Sequence, residues 1–344
     1  MARAGVLSKE THATVVRFAP PLTITRAWLD EGLDRFADVL GALAGGVTAP
    51  TALASPAPVS PAPPRVLMSA PDAFDVRYAI NPWMEPDRWQ PDAAALRRQA
   101  QAGWQALRAV YTELGAMVET MPSSAAQPDL VFTANAALVV DRRVLLARFR
   151  HPQRQGEERL GEDWFAQWRA RGAVDSLHHT PEGVVFEGAG DAIVDTDRGI
   201  CWMGHGPRTD LRARDTLEQV ARRPVLTLAL VDPRFYHLDT CLCLLTGGEL
   251  LAVRPAFSEA GWALLQAVAG AQLIEVPLPD ALQLAANAVC IGRTVVTGHC
   301  SPLLRERLAA HGYAVRVVPL EAFRRSGGGV RCLTLTLGAA APGP

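Results

Sequence analysis

The sequence predicts an α/β protein of repeated strand-strand-helix-strand modules packed around a common centre, with a short N-terminal extension. Three observations carry that reading. Short apolar strands alternate with amphipathic helices over most of the 344 residues. Paired strands, a helix and a further strand recur about every 50 to 60 residues. One such unit cannot cover its own apolar face, so its neighbours must do so. A two-domain α/β arrangement is the alternative, and a hydrophobic content of 49% is ample for either.

In chain order, "TRAWLDEGLDRFADVLGAL" places Trp28, Leu29, Leu33, Phe36, Val39, Leu40 and Leu43 at helical spacing, with Thr25 as the cap. "TAPTALASPAPVSPAPPR" (Thr48 to Arg65) is a proline- and alanine-rich spacer that runs extended. Three segments follow: an extension over 1–47, a linker over 48–64 and a main domain over 65–338. The main domain opens with the strand "RVLMSA" and a helix from Ala93 to Gly115. "ALVV" and "VLLARF" form a strand pair before a helix near Trp164 to Arg171. "GVVFEG", "DAIVDT" and "GICWMG" read as strands, followed by a helix near Thr209 to Val220 and the strand "VLTLAL". "CLCLLT" and "ELLAVR" precede a helix near Ser258 to Ala269 and "QLIEVP". "AVCIG" and "TVVTG" precede a helix through "LLRERLAAHG" and the strand "AVRVVPL".

The last element, "SGGGVRCLTLTL" (Ser326 to Leu337), sets a cysteine between a glycine run and a strand. Glycine permits backbone conformations that a side chain forbids, and Leu333, Leu335 and Leu337 alternate as one buried strand face. Cys332 then stands at a strand's entry, fixed from one side and reachable from the other. Filling space in the core is the competing role for a free cysteine.

Composition excludes several functions. The formal charge is -1, which gives no broad electrostatic footprint for nucleic acid or an anionic membrane. No apolar run approaches the roughly 20 residues that span a bilayer, and the N-terminus lacks a signal-peptide pattern, so a cytoplasmic location is the default. Lys9 is the sole lysine, so Schiff-base chemistry would have to use it. The six cysteines are irregularly spaced without a CxxC pair, which suits reduced thiols; Cys241 and Cys243 read as core residues, and no structural zinc is expected.

Several polar stretches sit at strand ends. "FEGAGD" offers Glu187 and Asp191, "FYHLDT" offers His237 and Asp239, and "PDLVFTANAALVV" offers Asp129 and Asn135. Each has a purely structural alternative as a cap or turn residue. Together with Cys332 they supply the cysteine, histidine and carboxylate inventory of nucleophilic catalysis. His178 and His179, in "SLHHTPEG", read as surface residues beside a turn. His205 lies in the "GHGPRT" loop, with lining the site and facing away both open.

Residues Arg65 to Leu337 resemble the guanidino-group-modifying superfamily of arginine deiminases, dimethylarginine dimethylaminohydrolases, amidinotransferases and arginine dihydrolases. The resemblance rests on "INPWM" (Ile80 to Met84), "PDLVFTANAALV", "RQGEE" (Arg154 to Glu158), "FEGAGD", "GHGPRT" (Gly204 to Thr209), "FYHLDT" and "GGGVRCLTL", in the family's order. It implies a five-bladed α/β propeller, the pentein fold, and no cofactor. It also implies Cys332 as nucleophile, His237 as general acid/base and Glu187 as the carboxylate that engages the guanidinium. Asp129, Asn135, Arg154, Asp191, Arg208, Asp239 and Asn81 are implied as substrate-binding residues, with Arg154 and Arg208 near the substrate carboxylate. The physical logic agrees: carboxylates can clamp a planar guanidinium while a thiolate attacks its carbon from above. His237 can then protonate departing ammonia and activate water.

Asn135 is the informative departure. Deiminases and dimethylarginine hydrolases usually carry aspartate there, whereas the "FTANA" form resembles arginine dihydrolases. An aspartate repels a ureido oxygen, while asparagine both donates and accepts and so can hold arginine or citrulline. The expected reaction is arginine to ornithine, ammonia and carbon dioxide through citrulline. The alternatives are a dimethylarginine dimethylaminohydrolase or arginine deiminase that stops at citrulline, and a non-catalytic regulator that binds arginine or ornithine. The N-terminal "GVLSKETHATVVRFAPPLTITRAWLDEGLDRFADVL" (Gly5 to Leu40) resembles the C-terminal tail of ornithine aminotransferases, and Ala13 replaces the usual glycine. It implies a functional link to that enzyme and no transaminase activity of its own. The expected partners are therefore a small-molecule substrate and a compatible homo-oligomer, with no nucleic acid and no membrane.

Overall fold

Five three-stranded sheets share one topology: an antiparallel pair, then a third strand parallel to the second and reached through a helix. The computed structural model describes residues 9–12, 15–17 and 63–339. The chain divides into two compact units, 1–60 and 61–344. In the first, β1 (Lys9–His12) pairs antiparallel with β2 (Val15–Arg17) across a register shift. The helix expected after Thr25 lies outside the described residues.

The second unit contains all five sheets. β5 (Ala137–Val140), β6 (Arg143–Leu146) and β7 (Ser176–His179) form one, with helix α2 (Pro152–Ala170) between the last two. β8 (Ala192–Asp195), β9 (Ile200–His205), α3 (Ala213–Ala221) and β10 (Val225–Ala229) repeat the pattern. β11 (Leu242–Leu244), β12 (Leu250–Ala252), α4 (Glu259–Ala269) and β13 (Leu273–Glu275) form the next repeat. β14 (Val289–Ile291), β15 (Thr294–Thr297), α5 (Pro302–Ala310) and β16 (Ala314–Val317) follow. The fifth sheet joins the two ends of the domain. Its first strand is β17 (Leu335–Ala339), which pairs antiparallel with β3 (Pro64–Ser69), and β3 leads through α1 (Ala93–Glu113) to the parallel β4 (Met117–Met121).

Local chemistry explains the elements. α1 buries Leu96, Ala100, Trp104, Leu107, Val110 and Tyr111 at helical spacing. The Ser258 and Ser301 hydroxyls accept from the Gly261 and Leu304 amides and cap α4 and α5. The first strands of all five modules line one axial cavity, including Val139, Val194, Leu244, Val289 and Thr336. The modules therefore surround a common axis, and the protein is a five-bladed α/β propeller.

The structure corrects several expectations. α2 begins at Pro152, a full dozen residues before the apolar signal at Trp164, because its inward positions there carry the Arg154–Glu157 ion pair in place of apolar side chains. "SLHH" forms the edge strand β7, which runs up to the turn at 182–183 and leaves His179 exposed; the strand itself carries no sequence signal, because its residues show no apolar alternation. β4 escaped prediction for the same reason. "GVVFEG" forms no strand: Phe186 makes one isolated bridge to Arg148, and Gly188, at φ +65°, turns the chain into a single 3-10 turn. β17 starts at Leu335; Leu333 is buried in the preceding turn and packs in a different apolar cluster from Leu335 and Leu337.

Candidate active site

A polar residue stands just ahead of the first strand of every module: Asn135, Asp191, Asp239, Asn287 and Cys332. A belt of hydrogen bonds joins these five turns around the axis. Asn135 Nδ2 donates to the Glu187 carbonyl (3.1 Å), and the Leu238 amide donates to Asp191 Oδ1 (3.0 Å). Asn287 Nδ2 donates to the Asp239 carbonyl (2.9 Å), the Cys332 amide to Asn287 Oδ1 (3.2 Å), and the Ala134 amide to the Cys332 carbonyl (3.2 Å). Each module thus hands a bond to its neighbour, and the last returns to the first.

The glycine run ahead of Cys332 permits this convergence mainly by close approach. Only Gly327 among its three has a positive φ, +83°. A Cβ on Gly328 would lie 2.3 Å from the Phe132 ring, and one on Gly329 would lie 2.9 Å from Asn287 Oδ1. Gly190 serves the same purpose opposite, since its Cβ would lie 2.2 Å from Asn135 Nδ2.

A narrow cavity lies over Cys332, lined in part by Asn81, Asp129, Asn135, Arg154 and Arg208. Glu187, Asp191, His237 and Asp239 are not among the lining residues. His237 Nε2 sits 2.7 Å from Glu187 Oε2 and 4.0 Å from Asp191 Oδ2. Glu187 also takes Arg208 Nη1 (3.0 Å) on Oε2 and the Arg150 amide (3.1 Å) on Oε1. Burial alone would raise its carboxyl, but the Arg208 charge and His237 overcome burial and hold it below the usual carboxylate range. Asp191 lies behind His237, where burial pushes its carboxyl up to about 6. Its Oδ2 approaches the imidazole at 4.0 Å without a hydrogen bond, and Asp191 is not part of the cavity wall.

Cys332 is 2% exposed, and its Sγ lies 3.2 Å from Asp239 Oδ2 and 3.0 Å from Asn287 Nδ2. Burial and the Asp239 charge hold the thiol well above its ordinary pKa. Asp239 itself is pushed up to about 7, chiefly by burial. Asp129 is raised too by burial, against the Arg154 charge, and accepts from the Tyr78 hydroxyl (2.9 Å) on Oδ2. Among the described residues, Asp129 Oδ1 and Asp239 Oδ1 near the sulfur, and Asp191 Oδ2 near His237, are buried with no hydrogen-bond partner. Two orphaned carboxylate oxygens beside a thiol suit a planar cation with many N–H donors.

Arg154 is committed to the protein more than the sequence implied. Its Nε and Nη2 clasp Glu157 at 2.8 and 2.7 Å, and its guanidinium lies over the Phe149 ring. Its Nη1 donates to Asn135 Oδ1 at 2.9 Å. Arg208 bonds Glu187 and the Ile80 carbonyl (2.9 Å) and faces the Tyr236 ring. Asn81 anchors the "INPWM" segment by donating to the Ser326 carbonyl (3.1 Å). His205, at the end of β9, does not line the cavity. Sequence reasoning missed Asn287, although "ANA" at 286–288 repeats the "ANA" at 134–136 at the same point of another module. The six cysteines are all free, and Cys241 and Cys243 are buried as expected.

A buried cysteine at the hub of five α/β blades, with a histidine–glutamate pair and orphaned carboxylates around it, defines a protein of the guanidino-group-modifying class. Residues 71–338 match the family model for eukaryotic N,N dimethylarginine dimethylhydrolase. The chain belongs to the dimethylarginine dimethylaminohydrolase family. It is 36% identical over 285 residues to the N(G),N(G)-dimethylarginine dimethylaminohydrolase of Mycobacterium tuberculosis, covering 83% of this chain and 89% of that protein. It is 38% identical over 272 residues to the bifunctional arginine dihydrolase/ornithine cyclodeaminase ArgZ of Synechocystis, covering 79% of this chain but 37% of ArgZ. The chain thus spans well under half the length of that relative. The crystal structure of the N-terminal domain of ArgZ bound to substrate, an arginine dihydrolase, matches with a TM-score of 0.73 at 36% identity, over 80% of this chain and 98% of that domain. A separate stretch of 35 residues, 10% of this chain, is 57% identical to ornithine aminotransferase of Staphylococcus carnosus and covers 9% of it.

Proposed function

We propose that the domain spanning 65–338 is a cofactor-free cysteine hydrolase that converts arginine to ornithine in two rounds at one site. The observation that carries this reading is the fixed orientation of the Asn135 amide. Arg154 Nη1 can only donate, so it selects Oδ1, and the Glu187 carbonyl can only accept, so it selects Nδ2. The flipped amide would set two donors together and two acceptors together. One N–H and one lone pair of Asn135 remain for a ligand, enough to accept from a guanidinium and to donate to a ureido oxygen.

In the first round the Cys332 sulfur bonds the guanidinium carbon, and the C–N bond to an amino group breaks as His237 supplies its proton. Water, activated by His237, then displaces the sulfur to leave citrulline. A second hydrolysis of the ureido group consumes another water. The sum is arginine and two waters to ornithine, two ammonia and carbon dioxide. Asp129 in the cavity wall and Asp239 beside the Cys332 sulfur supply negative charge for the cation, Arg208 steadies Glu187, and Arg154 acts through Asn135. Asp191 positions His237, and Asn81 holds the "INPWM" segment against Ser326.

The second reading is a dimethylarginine dimethylaminohydrolase, favoured by the family model and the M. tuberculosis relative. Incubation with labelled arginine and identification of every product decides. Ornithine with ammonia supports the dihydrolase, citrulline alone indicates a deiminase, and preferred release of dimethylamine from dimethylarginine overturns both. Binding of arginine without turnover would mark a regulator. Among the described residues no helix is long and apolar enough to cross a membrane; a cytoplasmic location and a functional link to ornithine aminotransferase through residues 5–40 complete the proposal.

A further inference from the structure

We propose that Asn287 is a further catalytic residue, whose side-chain amide donates to the Cys332 sulfur and stabilises the thiolate once the thiol has lost its proton. The inference rests on Cys332 as the nucleophile but not on which amidine it attacks.

All four bonding directions of the Asn287 side chain are used, and all converge on the nucleophilic turn. Oδ1 accepts from the Arg331 amide (3.0 Å) and the Cys332 amide (3.2 Å). Nδ2 donates to the Asp239 carbonyl (2.9 Å) and to Cys332 Sγ (3.0 Å). The two bonds to Oδ1 and the one to a carbonyl fix the amide's orientation, so the group facing sulfur is an N–H. On its other side the sulfur meets Asp239 Oδ2 at 3.2 Å, an acceptor to which a thiol can donate. Once the proton has left, an ionised Asp239 would oppose the thiolate, and the Asn287 N–H is the side chain placed to offset it. Asn287 is fully buried, so no water competes for that bond. Tyr236, Arg331 and Arg154 are other polar side chains that act on this pair, and none of them donates to the sulfur.

A residue needed only to shape the turn would leave the chemistry of the sulfur unchanged. The test therefore reads the sulfur directly, without substrate: the rate of iodoacetamide alkylation at Cys332, followed by peptide mass across pH. In Asn287→Asp the acceptor side that holds the Arg331 and Cys332 amides is retained, while the N–H facing sulfur becomes an oxygen. Alkylation near neutral pH should slow by about 10- to 100-fold, the range for a lost hydrogen bond to a charged group. Its apparent pKa should rise, with thermal unfolding checking that the fold persists. Asn287→Ala should slow alkylation similarly. If neither variant folds, the parent protein answers: the Asn287 side-chain amide proton should shift in NMR spectra as Cys332 titrates. An alkylation profile in Asn287→Asp that superimposes on the parent's, or an amide resonance indifferent to Cys332 ionisation, overturns the proposal. Neither outcome bears on whether arginine or dimethylarginine is the substrate.

Discussion

Arg154 Nη1 donates to Asn135 Oδ1 at 2.9 Å, and through that one bond a buried ion pair on helix α2 decides which end of the amide faces Glu187. The proposed reaction turns on this relationship, because citrulline presents an oxygen where arginine presents an N–H.

Asn135→Asp should uncouple the two rounds. A carboxylate there keeps the Arg154 bond but sets an oxygen against the Glu187 carbonyl and against the ureido oxygen of citrulline. Each acceptor pair without a proton costs about 1–3 kcal/mol when buried. The cation can compensate for this and the neutral ureido cannot. Chromatography of the products should show citrulline accumulating where the parent yields ornithine. A variant that still releases ornithine at the parental rate removes Asn135 from the second round.

The buried Asp239 carboxyl predicts a pH-dependent affinity for arginine and a pH-independent one for citrulline. Asp239 is raised to about 7 by burial, so the free site is largely protonated there at pH 6 and ionised at pH 8. Arginine binds the ionised form better, and its affinity should rise as pH climbs through about 7, up to tenfold per unit below that value. Citrulline is neutral and gains nothing from the ionisation. The same shift has a stability consequence: a raised acid favours the folded state below its folded pKa, and that contribution is lost as pH rises from about 4 to about 7. Asp239→Asn should therefore gain stability relative to the parent over that window. Calorimetric titration at pH 6 and pH 8 checks the binding, and a flat arginine affinity would assign the cation to other groups.

How far the molecule was legible in its sequence follows from where apolar side chains do and do not mark structure. The module rhythm was visible because the first and second strands of each blade are buried. β4 and β7 were not visible, because "MVETM" and "SLHH" mix polar and apolar residues without the apolar run that marked the third strands β10, β13 and β16. The start of α2 was hidden by Arg154 and Glu157, a charged pair occupying core-facing helix positions. In the site, Cys332 announced itself through its glycines, and His237 and Glu187 through their motifs. Asn287 did not, since a lone asparagine in an apolar stretch has no local signal and gains one only beside its counterpart Asn135 in another module.

Gly328→Ala should damage both packing and turnover. The added methyl would stand 2.3 Å from the Phe132 ring, which is buried and bounded by Phe74 and Phe323, so the ring cannot simply swing aside. Overpacking of this kind costs about 1–3 kcal/mol. Any relief must come from the chain that carries Cys332, and kcat should fall more than the melting temperature suggests. Thermal denaturation beside steady-state rates measures both, and parental values in each would show the turn to be more yielding than its contacts imply.

Cys332→Ser should abolish turnover with the fold intact, because a hydroxyl is a far poorer nucleophile near neutral pH and the volume barely changes. His237→Ala should be nearly inactive as well, since it removes the imidazole paired with Glu187 that the mechanism uses to move protons. If the first attack needs no proton from His237, this variant should hold a covalent adduct on Cys332, visible as added mass on the intact protein. Retention of more than a few per cent of activity in either variant removes that residue from the mechanism.

The two ends of the chain should respond oppositely to truncation. All five sheets, including the ring-closing pair of β3 and β17, lie within residues 64–339. Deletion of residues 1–60 should therefore leave a folded, active hydrolase. Deletion from residue 335 onward removes the first strand of the fifth blade, with Leu335 and Leu337 and the ladder from Leu335 to Leu67. Each buried leucine contributes about 1.5–3 kcal/mol, and the loss also leaves the edge of β3 unpaired beside the turn that holds Cys332. That loss is a large share of the stability of an ordinary domain, roughly 5–15 kcal/mol. The shortened protein should be insoluble or melt far below the parent, and circular dichroism with activity assays on both truncations makes the comparison. A long-lived, active protein lacking β17 would mean that the propeller does not depend on closing its ring, and an N-terminal deletion that fails to fold would place residues 1–60 within the hydrolase domain.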